Sequence, residues 1–233
     1  MAANPQSIPY RRVYVWELPV RIYHWLNALC IVLLIVTGYL IGNPQAIFSA
    51  NEAYQQYWFG WVRFIHFATS YIFVLNFAFR IYWGFVGNRY AKWDRFILYR
   101  PKQWKELWET IKVDVLQAKI HGSRSVIGHN NLAGLSYFFT FVIFLLQAFT
   151  GFTLYSGMSK SFPPSLLAWA VPLFGGDAVV RQWHHLFMWF FIMFIVVHIY
   201  LVFYHDYYEG RGTTSSIIGG WKFERDDEIQ KRQ

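Results

Sequence analysis

The stretch from Trp183 to His205, WHHLFMWFFIMFIVVHIYLVFYH, constrains the chain more than any other. It is long enough to cross a bilayer as a helix, for which about 20 apolar residues suffice. Yet it carries His184, His185 and His198, and ionisable groups inside a span are costly unless something uses them. Their spacing separates them. His184 and His198 lie fourteen residues apart, so at ~100° per residue they share a face to within ~40°, and at ~1.5 Å rise they stand ~21 Å apart along the axis. His185 falls on the far side from His198. Two same-face histidines, one toward each membrane surface, fit two readings: axial ligands of two stacked haems, or histidines satisfied by neighbouring side chains.

The rest of the chain is equally apolar. With 55% hydrophobic and 22% aromatic residues and a positive mean hydropathy, it falls among integral membrane proteins. Apolar runs over about 22–41, 62–85, 132–155 and 183–205 predict an all-α integral membrane protein, a four-transmembrane-helix bundle forming one domain over 1–233. The first run does not end in a small-residue cleavage site, so it is expected to remain as a span rather than act as a signal peptide. The net charge of +8 invites a nucleic-acid partner, but the basic residues border the spans, where they act as an orientation signal. Nucleic acid is therefore not expected. The single cysteine, Cys30, excludes an intrachain disulfide, a C-x-x-C-H haem attachment and an iron–sulfur cluster held by four cysteines of this chain. Any haem is then of the non-covalent b type, and any cluster that feeds it belongs to another subunit.

Read in order, the N-terminal segment to Val20 is polar and is expected at the surface. The first span places His24 near its start and Gly38 fourteen residues later on the same face; the glycine serves either a flat macrocycle or close helix packing. The second span carries Arg63 and His66 near its start, with Arg80 fourteen residues beyond His66. Arg80 either pairs with haem propionates or snorkels to the interface, and Arg63 is a further propionate candidate. The central connector is densely basic. Within it PKQWKELWETIKVDVLQAKI sets Trp104, Trp108, Ile111 and Val115 on one side of an amphipathic interfacial helix. The third span has no internal histidine and supplies wall. TGYL in the first span echoes TGFTL in the third, too briefly to count as a repeat.

Basic residues concentrate in the N-terminus, the central connector and the C-terminal tail. By the positive-inside rule these face the cytoplasm. His24 and His198 then lie toward the cytoplasmic surface and His66 and His184 toward the outside, giving two level pairs.

RIYHWLNALCIVLLIVTG (Arg21–Gly38) and RQWHHLFMWFFIMFIVVH (Arg181–His198) resemble the signature stretches of the b-type cytochrome subunit of membrane-bound nickel–iron hydrogenases. RIYWGFVGNRY (Arg80–Tyr90) and GHN (Gly128–Asn130) are similar to that family as well. The resemblance implies a cytochrome of the bacterial cytoplasmic membrane with both termini inside, taking electrons from the iron–sulfur small subunit of a hydrogenase, beside its nickel–iron large subunit, and passing them to quinone. It implies two haem b, with iron ligands at His24, His66, His184 and His198, the set that spacing selects. GHN continues with Asn131 where the family pattern leads one to expect proline, which puts the local turn in question.

On this reading the chain is an electron-transfer subunit without catalytic residues of its own. The outer haem receives the electrons, and quinone is reduced beside the inner one. Asn130, Asn131 and the non-ligating nitrogen of His198 are candidate donors to a quinone carbonyl; the asparagines serve equally as caps of the third span. Related cytochromes serve formate dehydrogenases. Readings of a different class are a haem-free membrane anchor and a small ion transporter, the latter disfavoured by spans uninterrupted at their middles.

Overall fold

The computed structural model describes residues 10–44, 57–93, 96–114 and 131–225. In chain order its elements are strand β1 (Tyr10–Tyr14), helices α1 (Leu18–Gly42), α2 (Trp58–Val86), α3 (Pro101–Asp114) and α4 (Asn131–Ser156), a single 3₁₀ turn (Pro164–Leu167), short α5 (Ala170–Leu173), long α6 (Asp177–Glu209), α7 (Thr213–Gly219) and strand β2 (Trp221–Arg225). The helices α1, α2, α4 and α6 are each long and apolar enough to cross a membrane. In hydrocarbon every backbone N–H and C=O must be satisfied within the segment, and a helix does this. The helices outrun the apolar sequence at both ends. Thus α1 opens at Leu18, taking Pro19 into its first turn, where the missing N–H has no helical acceptor to lose. Asp177 stands in the first turn of α6, where a carboxylate complements the helix dipole.

The chain divides into two compact units. One comprises Tyr23–Ile81 and Thr140–Val196. Its core draws on all four long helices: Cys30 and Ile31 of α1, Phe73 and Phe77 of α2, Phe144 of α4 and Phe191 of α6. The α2–α4 contact is an aromatic ladder. Phe67 stacks on Tyr155 (ring centroids 4.2 Å apart), Tyr71 meets Phe152 edge-on, and Phe144 receives both Phe73 at 4.6 Å and Phe77 at 4.0 Å. Rings at these distances add pairwise attraction to the area they bury. Buried Asn76 ties α2 to α1: its Nδ2 donates to the Tyr23 carbonyl at 3.1 Å. The outward residues of this unit, among them Leu29, Val32, Val36, Leu75, Leu145, Trp189, Met193 and Val196, are large, apolar and exposed, a surface suited to lipid and untenable in water.

The other unit comprises Met1–Ile22, Tyr82–Phe139 and Val197–Gln233. Here the first and last described segments pair: β1 runs antiparallel to β2, with Tyr10 opposite Arg225 and Tyr14 opposite Trp221. This ribbon is an addition to the helical architecture expected from the sequence, in which both ends read as polar surface segments. Polar networks knit it to the loop after α2. Glu17 Oε2 accepts from the Trp83 indole N–H (3.0 Å) and from the Asn88 N–H (2.8 Å), and Asn88 Nδ2 donates to the Val15 carbonyl (2.9 Å). Glu224 is 1% exposed and accepts from Arg211 Nη1 at 2.7 Å. Gly220 turns the chain into β2 at φ 87°, where a Cβ would stand 2.7 Å from the Trp16 carbonyl oxygen and 2.5 Å from the Tyr14 ring.

The amphipathic helix predicted in the central connector is α3. Its Leu107 is buried, while Trp104 and Trp108 are exposed; Val115 lies outside the described residues. Asn131, the first residue of α4, ties α3 down: its Nδ2 donates to the Gln103 carbonyl (3.2 Å) and to Glu106 Oε2 (2.9 Å).

Phe144 holds two aromatic partners at the centre of the first unit. Phe144→Ala is expected to cost about 3–5 kcal/mol, read as a lower midpoint of thermal unfolding in detergent. An unchanged midpoint would show that the ladder carries no stability.

Candidate cofactor site

Two of the histidines singled out by spacing, His66 and His184, each meet a threonine–glycine step of a neighbouring helix. His66 of α2 faces the C-terminal part of α1. Its Nδ1 lies 2.9 Å from Thr37 Oγ1, and a Cβ built on Gly38 would stand 3.3 Å from His66 Cε1 and 3.9 Å from Met188 Sδ. His184 of α6 faces the C-terminal part of α4. Its Nδ1 lies 3.0 Å from Thr150 Oγ1, and a Cβ on Gly151 would stand 3.0 Å from His184 Cε1. The glycines let each ring lie against the neighbouring helix where a Cβ would crowd it.

The threonines are placed by their own helices. Thr37 Oγ1 donates to the Leu33 carbonyl at 2.6 Å and Thr150 Oγ1 to the Leu146 carbonyl at 2.8 Å, the back-bond to the preceding turn that serine and threonine make inside helices. Both threonines are buried. A third polar group completes the site: Gln147 Nε2 lies 3.2 Å from His184 Nε2. The Gln147 Oε1 atom is buried and makes no hydrogen bond among the described residues.

His185 turns to a different wall. A Cβ on Gly42 would stand 2.9 Å from His185 Cε1, so this histidine packs on the end of α1. Arg80 is only 4% exposed. Its guanidinium carbon lies 6.0 Å from the ring centroids of both Tyr23 and Phe141, within the aromatic interior of the unit rather than at an interface. Arg63 turns to the Met158 sulfur. His24, in the same unit, meets the Trp25 ring edge-on at 5.2 Å. His198 belongs to the other unit, where its ring meets that of Tyr137 at 6.2 Å. Asn130 lies outside the described residues, and the Asn131 amide is engaged with α3 as above.

Thr37, Thr150, Gly151 and Gln147 were not among the residues selected from the sequence. The signal that would have found the first three is the TGYL–TGFTL echo, whose two copies present the same Thr–Gly step to the two histidines.

Chemically, a half-buried imidazole gripped at Nδ1 offers Nε2 to a metal. A haem iron takes only its axial ligands from protein side chains. Among the described residues there is no group of three or more His, Cys, Asp or Glu able to hold a bare metal ion, while His66 and His184 are of the side-chain type that ligates a haem iron. The residues present fit a haem.

Comparison with known proteins agrees. Residues 15–220 match the family model described as prokaryotic cytochrome b561. A protein of Azotobacter chroococcum mcd 1 named "Probable Ni/Fe-hydrogenase B-type cytochrome subunit" is 40% identical over 220 residues, covering 92% of this chain and 90% of that protein. A protein of the same name from Cupriavidus necator is 36% identical over 232 residues, covering 96% and 91%. The "Probable Ni/Fe-hydrogenase 1 B-type cytochrome subunit" of Escherichia coli K12 is 34% identical over 226 residues, covering 94% of each.

The glycine clearances are directly testable. Gly151→Leu places carbon where the His184 ring lies and is expected to lower the b-type absorbance per chain, whereas Gly60→Leu, a site with nothing within 4 Å of its Cβ position, is expected to leave it unchanged. Equal absorbance in the two variants would refute the clearance.

Proposed function

The chain belongs to the prokaryotic cytochrome b561 family, and from that premise we propose that it is the di-haem b-type cytochrome subunit of a nickel–iron hydrogenase. In this role it anchors the complex in the bacterial cytoplasmic membrane and passes electrons from dihydrogen oxidation, received through the iron–sulfur small subunit beside the nickel–iron large subunit, to the quinone pool. The names of its relatives support the hydrogenase association, and the four membrane-capable helices support the setting.

The observation that carries the reading is the matched pair of histidines, each gripped at Nδ1 and cleared by a glycine. When bound, haem b supplies a one-electron couple at its iron. His66 and His184 would hold the outer haem. The fourteen-residue spacing in the sequence would leave His24 and His198 for the inner one. Buried Arg80 supplies positive charge for a propionate, and Arg63 is the equivalent candidate near His66.

Quinone reduction is assigned to the cytoplasmic side, where the basic segments place both termini. Asn130 and the non-ligating nitrogen of His198 are the donors proposed for its carbonyls; the third candidate, Asn131, already donates to Gln103 and Glu106. Electrons then move inward and protons are drawn from the cytoplasm. Turnover therefore builds a membrane potential, at about 2.3 kcal/mol per charge for each 100 mV crossed in full.

The deciding measurement is a haem count by pyridine haemochrome on the purified complex and on single His→Ala variants. Two b haems per chain are expected. His66→Ala or His184→Ala should each remove one and spare the other, and His24→Ala or His198→Ala should remove the one that the first two spare. A chain without b haem would make it a passive anchor. Loss of both haems from a folded variant, or of neither, would break the pairing.

A further inference from the structure

We propose that Thr37 and Thr150 are positioning residues that fix the ring proton of His66 and His184 on Nδ1, and so decide that Nε2 meets the iron and how strongly it donates. The proposal rests on the haem reading above, and concerns what the chain does to that haem rather than whether one is bound.

The argument is a count of protons. A threonine hydroxyl has one hydrogen to give and two lone pairs to receive with. At both sites the hydrogen is committed to the preceding helical turn, to Leu33 O at 2.6 Å and Leu146 O at 2.8 Å. What remains toward the histidine is an acceptor. The contacts of 2.9 and 3.0 Å to His66 Nδ1 and His184 Nδ1 are therefore Nδ1–H···O hydrogen bonds, and both imidazoles carry their lone pair on Nε2.

At His184, Gln147 Nε2 sits 3.2 Å from the ring Nε2, a contact that an acceptor Nε2 completes. The Nδ1–H tautomer offers Nε2 to a metal, and the outer hydrogen bond raises the basicity of the ligating nitrogen.

The arrangement occurs twice, on two helix pairs. Thr37 of α1 serves His66 of α2, and Thr150 of α4 serves His184 of α6, with the glycine that clears the ring following immediately in each case. A threonine that merely back-bonded its own helix would not need to meet a histidine in both copies.

The test uses the purified holo-complex with Thr37→Val and Thr150→Val, which keep shape and remove the acceptor, and Thr37→Ser and Thr150→Ser, which keep the acceptor. The readouts are the midpoint potential of each haem, followed at its α band, and the low-spin EPR signal of the ferric form. A more basic ligand favours ferric over ferrous iron. Each valine variant should therefore weaken that preference about tenfold at the outer haem, raising its midpoint by about 59 mV for a one-electron couple, and displace its EPR signal while the inner haem stays put. The serine variants should match the parent.

Unchanged outer potential and EPR signal in both valine variants would overturn the proposal, as would an equal shift of both haems. If the valine variants lose the outer haem, the serine variants decide. A parental haem count in them supports the hydroxyl, and loss in them as well assigns the effect to packing and overturns it. Failure of the haem reading itself is separate, since it would appear as an unchanged haem count in His66→Ala and His184→Ala.

Discussion

The hydrogen bond between a histidine Nδ1 and a threonine hydroxyl on the adjacent helix is the interaction on which the arrangement of the site depends. An imidazole inside an apolar bundle is costly unless its polar edge finds a partner. Thr37 and Thr150 provide that partner at one ring nitrogen of His66 and His184. Each ring is then fixed at its Nδ1 edge by the threonine and in depth by the adjacent glycine. Two constraints of this kind leave an imidazole little freedom, as a ligand that must meet a metal in a set orientation requires.

The two units are stabilised by different physics. Among the helices, the core of Cys30, Ile31, Phe73, Phe77, Phe144 and Phe191 works by close packing, because lipid tails are as apolar as the side chains and burial alone gives helices no reason to associate. Aromatic rings answer that need with large, shape-specific contacts along α2 and α4. In the other unit the strand pairing of β1 with β2, the Glu17–Trp83–Asn88 network and the Arg211–Glu224 pair are polar interactions. They are the kind available to segments rich in charge, and they bind the first and last described residues of the chain to each other.

The chain also shows a register that runs deeper than the brief echo of four letters. Fourteen residues before Gly38 stands His24, and fourteen before Gly151 stands Tyr137; fourteen after His66 stands Arg80, and fourteen after His184 stands His198. The Thr–Gly step and its histidine are common to both helix pairs, while at the other register positions one pair has His24 and Arg80 where the other has Tyr137 and His198. Local pattern alone could not weight so short a match. It gains meaning because both copies make the same contact.

Much of this protein was legible in its residues. Apolar length determined four spanning helices, since hydrocarbon leaves the backbone no alternative. The 3.6-residue period set His184 and His198 on one face of α6 and gave the amphipathic α3. The signature stretches around His24 and His198 indicated the family, which the match over residues 15–220 bears out. Tertiary structure decided what lies opposite each residue. The pairing of Tyr10–Tyr14 with Trp221–Arg225 joins segments at the two ends of the sequence, and no local pattern encodes a partner that distant. That Thr37 meets His66, that Gly42 rather than a ligand site receives His185, and that Arg80 is buried among rings rather than drawn to an interface depend on which helix faces which. Periodicity determines the face that a helix presents, and packing alone determines what that face meets.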